Sequence, residues 1–203
     1  MRAVAFALVC GGLSASSVAD TIDFESLPDN QLVTQVPGFE FLHFAGSAVA
    51  QKAGGSLSSA FTPTSGDTVI FDDRSMGTTN PGTITIESVG QTLNTVSAFV
   101  QTYALNGVTM AIWDVDPTSL GATPLDSVVT PGAPGGIAQP GFGLPTLLEL
   151  SGTGIKFITF QDSGNSFTVD DLSFGVESVI IPLPSAAGLG LAGLACIVRR
   201  RRA

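Results

Sequence analysis

Along residues 20–176 apolar and polar positions alternate in short runs, and Gly, Pro, Ser, Asn and Asp separate the runs. That is the pattern of short strands joined by turns. The clearest run is Thr83-Ile84-Thr85-Ile86-Glu87, which alternates strictly. Residues 96–103 read as the next strand, and 108–116 as another after an Asn106-Gly107 turn signal. Further strands are expected over 21–24, 46–50, 68–71, 128–130, 147–150, 155–160 and 166–174. No segment of this region carries a sustained helical period with caps. Many short strands separated by turns predict an all-β, two-sheet antiparallel sandwich. Ile84, Ile86, Val108, Met110, Ile112, Phe157 and Phe167 are its expected core. Residues 131–145, with four Pro and five Gly, read as a loop over one end.

The last expected strand is irregular. Phe167 and Val169 share one parity, while Leu172 and Phe174 share the other. A bulge at Asp170-Asp171 returns both pairs to the core and re-aims the two carboxylates. A strand buried on both faces is the alternative. Trp113 is the only Trp and Tyr103 the only Tyr. An exposed aromatic ring suits the apolar face of a sugar. Trp113 alternates with Ala111 and Val115, and Met110 and Ile112 take the other face. Core packing is the default expectation for Trp113 on this pattern.

The two ends read differently from the middle. Met1-Arg2 is positive, residues 3–13 are apolar, and Ser17-Val18-Ala19 supplies small residues for a signal peptidase. Residues 1–19 are therefore expected to be a signal peptide, leaving Asp20 first. At the other end, residues 179–198 carry no charge and precede Arg199, Arg200, Arg201 and Arg202. Twenty such residues span about 30 Å as a helix. Pro182 and Pro184 shorten the helical part to 185–198, about 21 Å, which is thin for a permanent anchor. The arginines stay cytoplasmic and the acidic middle lies outside. Gly188, Gly190 and Gly193 fit a dinucleotide-binding spacing, but no βαβ unit can follow them there.

A proline motif, an apolar helix and a terminal arginine cluster together resemble a PEP-CTERM sorting signal. The motif is Ile181-Pro182-Leu183-Pro184, with Leu183 where that family usually carries Glu. The resemblance implies a sorting tail over 177–203, recognised by an exosortase. It further implies transient anchoring in the inner membrane, then release to the cell surface or the extracellular matrix. The middle of the chain, 20–176, opens on TIDFESLP and closes on FTVDDLSFG, with VTMAIWDVD and SGTGIKFITFQDSG between. That order is similar to the jelly-roll, carbohydrate-binding-like modules found upstream of such tails. In those modules a structural calcium lies near where the first and last strands meet. The matching residues here are Glu25 and Asp171, with Asp23 and Asp170 beside them.

Charge narrows the chemistry. Within residues 20–198 only Lys52, Arg74 and Lys156 are basic against all 17 acidic residues, a net of −14 where the whole chain has −9. Such a surface repels nucleic acid and anionic lipid and attracts cations or basic partners. Solubility alone is the bland explanation. Cys10 and Cys196 lie in the two end segments, so the middle has no disulfide and no thiolate nucleophile. Its one histidine, His43, sits in Phe41-Leu42-His43-Phe44 and reads as structural, which leaves no triad and disfavours zinc. A glycosidase needs two carboxylates about 5–10 Å apart. Glu40, Glu87 and Glu149 are candidates, although solvated acids are the commoner role. Asp114-Val115-Asp116 is no EF-hand, because the glycine of that loop is missing. Calcium is the one cofactor these residues leave open.

The reading is an exported, non-catalytic cell-surface or matrix protein that binds polysaccharide, with signal peptidase and exosortase as processing partners. A purely structural envelope protein is one alternative. A carboxylate-dependent glycan hydrolase or lyase is the other.

Overall fold

A computed structural model describes residues 19–46, 48–72, 82–102, 107–130, 143–162 and 167–177. The leader, the sorting motif and the arginine cluster lie outside these residues, as do Tyr103, Asn106 and most of the 131–145 segment. Among the described residues the regular elements are strands. They are β1 (Asp20–Ile22), β2 (Gln31–Leu32), β3 (Leu42–Gly46), β4 (Ala48–Lys52), β5 (Thr68–Asp72) and β6 (Thr83–Ser88). There follow β7 (Leu93–Thr102), β8 (Val108–Trp113), β9 (Asp126–Val129), β10 (Thr146–Ile155), β11 (Phe157–Asp162) and β12 (Phe167–Val176).

Two antiparallel sheets form. The first runs β10-β7-β12-β5-β4-β2, with β1 also paired to β12; the second runs β3-β6-β11-β8-β9. Alternation decides which residues meet between them. Ile84 and Ile86 of β6, Val108, Met110 and Ile112 of β8, and Ile158 and Phe160 of β11 are almost fully buried. Facing them are Val96, Ala98 and Val100 of β7 and Leu148 of β10. Phe39 and Phe41 both pack edge-on against Phe174, at 5.7 and 5.6 Å between ring centres. Each buried phenylalanine contributes about 1.5–3 kcal/mol relative to exposure.

β12 carries the expected bulge. Asp170 pairs with Phe99 of β7 and Ser173 with Ser97, so two β12 residues oppose one. Asp171 takes the extra place at φ +46°, in the left-handed region that Asp tolerates better than most residues. Phe167, Val169, Leu172 and Phe174 then all point inward, none more than 2% exposed. The strand is also covered outside along its first half, where Thr168 and Asp170 are each 3% exposed. Both explanations offered by the parity break therefore hold, in different halves.

The bulge divides the strand's free edge. Before it, Thr168 and Val169 pair with β5. After it, Leu172 to Phe174 pair with β1. Asp20 thus lies beside Phe174, and Glu177 is held at that same end of the sandwich. The Glu177 carboxylate accepts from the Gly154 amide at 2.7 Å and the Thr92 hydroxyl at 2.8 Å.

Several expectations need correction. β2 and β3 were not legible as strands. Residue 155 ends β10 instead of opening β11, because Gly152 and Gly154 carry β10 through a register shift after Ser151. Gly107 leads from one sheet to the other and not round a hairpin, since β7 and β8 belong to different sheets. Phe157 is half-buried on the outer face, because Ile158 and Phe160 claim the inward parity of β11.

Candidate functional site

Two places gather chemistry-bearing residues. The first is the acidic cluster at the bulge. Asp170 points to the outer side of β12, where residues 58–67 lie over the sheet. Its Oδ2 accepts the Thr64 amide at 2.6 Å and the Ser65 amide at 3.1 Å, and its Oδ1 accepts the Asp171 amide at 2.8 Å. Asp171 Oδ1 accepts the Ser65 hydroxyl at 2.5 Å. Glu25 arrives from the turn after β1, and its Oε1 accepts the Asp67 and Thr68 amides at 2.9 and 2.7 Å. Gly66 lies between these anchors at φ +51°, and a Cβ there would run into the Glu25 carboxyl. The structure therefore brings Glu25, Asp170 and Asp171 to one segment, 64–68. Asp23 stays apart and accepts the Glu25 amide at 3.2 Å, closing a local turn.

The same segment is fastened again over β7. The Gln101 side chain accepts the Thr62 amide at 2.8 Å and donates to the Ala60 carbonyl at 3.1 Å. Phe61 packs edge-on against Phe71. The cluster is thus a latch that holds a covering loop against the sheet. Its oxygens already face N–H and O–H donors at lone pairs that a cation would need. Among the described residues no group of three or more His, Cys, Asp or Glu side chains is arranged to hold a metal ion.

The second place is the outer face of the second sheet. Its register aligns His43 with Glu87, Glu87 with Phe157 and Phe157 with Trp113. These four side chains form one row across four strands, about 4.8 Å from strand to strand. His43 and Glu87 are exposed, and Phe157 and Trp113 are half-buried. Trp113 is therefore not a core residue. Met110 and Ile112 fill the interior side of β8, which sends Trp113 outward. Its Nε1–H donates to Thr159 Oγ1 at 3.0 Å, so the indole leans over β11. The next row is Ala45, Thr85, Thr159, Ala111 and Ser127, all small. Thr159 and Ala111 are buried, so Thr85 and Ser127 are the hydroxyls this row leaves accessible beside the two aromatic rings.

The acids offered as a catalytic pair do not converge. Glu87 is on the outer face of the second sheet, Glu149 on that of the first, and Glu40 accepts the Gly38 amide in an exposed turn.

No family model matches the sequence, and no curated protein matches it. Solved structures do match. The K2 cleaved adhesin domain of Lys-gingipain aligns with a TM-score of 0.54 at 13% identity, over 77% of this chain and 97% of that one. The K1 cleaved adhesin domain of Lys-gingipain from Porphyromonas gingivalis W83 aligns at 0.51 and 10% identity, over 79% and 99%. The shared feature is the fold, a two-sheet antiparallel β-sandwich. A looser likeness, at 0.44 and 10% identity over 78% and 92%, is to a family 29 carbohydrate-binding module. At these identities the likeness is one of fold alone, and function rests on this chain's own residues.

Asp170 makes the latch pH-dependent. Burial pushes its carboxyl from 3.8 up to about 6; the Thr64 and Ser65 amides oppose the rise and the Asp171 charge adds to it. A carboxyl raised in the folded state favours that state most below its ordinary value, and the benefit fades as pH rises through the raised one. Asp29, Glu40 and Asp116 are shifted the other way, chiefly by the Ser56 hydroxyl, the Gly38 amide and the Thr118 hydroxyl. Their contributions are lost only below the usual carboxylate range, so they do not cancel the effect between pH 7 and pH 5. The melting temperature is expected to rise from pH 7 to pH 5, and Asp170→Asn is expected to flatten that rise. Identical pH profiles for the two proteins, read by scanning calorimetry, would show that Asp170 is not the group responsible.

Proposed function

We propose that this sandwich is a non-catalytic binding domain that holds polysaccharide against the outer face of its second sheet. The observation that carries this reading is the Trp113–Phe157 pair. Two half-exposed rings stand on adjacent strands, and the indole is fixed by its bond to Thr159. Aromatic faces take up the apolar faces of sugar rings, while the accessible Thr85 and Ser127 hydroxyls suit sugar hydroxyls. Glu40, Glu87 and Glu149 lie on separate surfaces, which favours binding over hydrolysis by that set. The net negative charge of the middle region favours neutral glycans over anionic ones. Trp113→Ala and Phe157→Ala should each weaken retention in affinity electrophoresis by about tenfold, the equivalent of ~1.4 kcal/mol. Retention unchanged in both variants would remove this face as the site.

Export belongs to the same proposal. The leader and the PEP-CTERM-like tail support delivery to the cell surface or matrix by way of the inner membrane. The mature extracellular form should begin near Asp20 and lack Arg199 to Arg202. An intact arginine cluster in its mass spectrum would refute tail removal.

Calcium at Glu25 and Asp171 is a further proposal, supported by the jelly-roll resemblance and by both side chains reaching the same segment, 64–68. Chelation should then lower the melting temperature of wild type and leave Asp171→Asn unchanged. A wild-type melting curve indifferent to chelator would leave hydrogen bonds as the whole of the latch.

A further inference from the structure

The outer face of the first sheet carries a different row. Glu149 of β10 pairs with Ser97 of β7, Ser97 with Ser173 of β12, and Ser173 with Thr21 of β1. Ser173 and Thr21 share a hydroxyl–hydroxyl bond of 2.6 Å. Glu149, Ser97 and Ser173 of this row form the floor of a groove of about 450 Å³ that also reaches Asp126 at the edge of the second sheet. That volume falls within the range of small-molecule sites, about 300–1,000 Å³. The covering loop that hides the other half of β12 stops short of it, since Ser173 and Ser97 remain half-exposed.

The lining is one-sided in its chemistry. Thr95, Ser97, Ser151 and Ser173 supply hydroxyls, and Glu149 and Asp126 supply carboxylates; no Lys or Arg takes part. Phe174 belongs to the lining but is 1% exposed, so it presents no ring face. Such a site lacks the platform that a neutral sugar uses. Its two carboxylates only accept hydrogen bonds, and an ammonium is all donor. Hydroxyl groups along the floor can give or take hydrogen bonds, which suits a hydroxylated ring and not the bare aliphatic stem of a lysine.

We propose that this groove is a second binding site, and that it takes the free ammonium of an amino-sugar residue, with Glu149 as its counter-charge. The site is independent of the aromatic row on the opposite sheet. One face holds a neutral chain and the other a de-acetylated sugar.

The test uses the full chain carrying Trp113→Ala, so that the aromatic row contributes little. A glucosamine tetramer and an N-acetylglucosamine tetramer are titrated by calorimetry at low and high salt. The glucosamine tetramer is expected to bind at least about tenfold more tightly, as an exposed charge-assisted hydrogen bond allows. Glu149→Gln should abolish that preference, and salt should weaken it. Glu40→Gln removes the same charge from a distant turn and should leave it intact. Equal weakening by Glu149→Gln and Glu40→Gln would reduce the effect to net charge and overturn the site. So would equal affinity for the two tetramers, or no binding of either. Tetralysine binding more tightly, with the same dependence on Glu149, would replace the sugar by a peptide amine. Shortened oligomers in the titrated sample would make Glu149 and Asp126 hydrolytic and overturn a purely binding role.

Discussion

The extra residue in β12 is the constraint on which the rest of the sandwich depends. Without it, Leu172 and Phe174 would turn to the outer face, and the ring stack of Phe39, Phe41 and Phe174 would be lost. With it, one strand serves β5 along its first half and β1 along its second. The bulge also turns Asp170 and Asp171 toward residues 64–65, where amides and a hydroxyl wait for them. A carboxylate buried on a sheet's outer side needs such donors, since leaving it unpaired costs several kcal/mol. The loop is therefore not an accessory to the bulge. Each makes the other tenable.

The outer faces follow from that arrangement. On the first sheet, the latched loop covers Thr168 and Gln101 and leaves the row from Glu149 to Thr21 accessible. On the second sheet, the row from His43 to Trp113 faces outward. Both rows run across strands, so they rest on the most rigid part of the molecule and not on its connections. A ligand received on either proposed row would require little ordering of the protein, which favours affinity for weakly held ligands such as sugars.

The middle of the chain was legible where alternation was long or its failure informative. Ile84 and Ile86 marked β6, and the parity break between Val169 and Leu172 located the bulge before any contact was known. β2 is two residues long and β3 holds only Leu42 and Phe44 as inward apolar positions, too few to set a period. The aromatic row was missed for a related reason. Phe157 and Phe160 have opposite parity, as do Ile112 and Trp113, so hydrophobicity alone could not say which faces out. Only register decides, and register is non-local. The partners of Glu25 and Asp170 were hidden likewise, because amides 42 and 106 residues away in sequence leave no pattern near either acid.

If Trp113 marks a glycan-binding face, as proposed, the protein's own fluorescence reports it directly. Trp113 is the only tryptophan in the chain, so its emission reports one position. A soluble neutral polysaccharide is titrated into the protein while emission and iodide quenching are followed. The account predicts a saturable change in emission and a matching loss of quenching, both at the concentration where binding saturates. Unaltered emission and unaltered quenching at saturating polysaccharide would place the ligand elsewhere and contradict it.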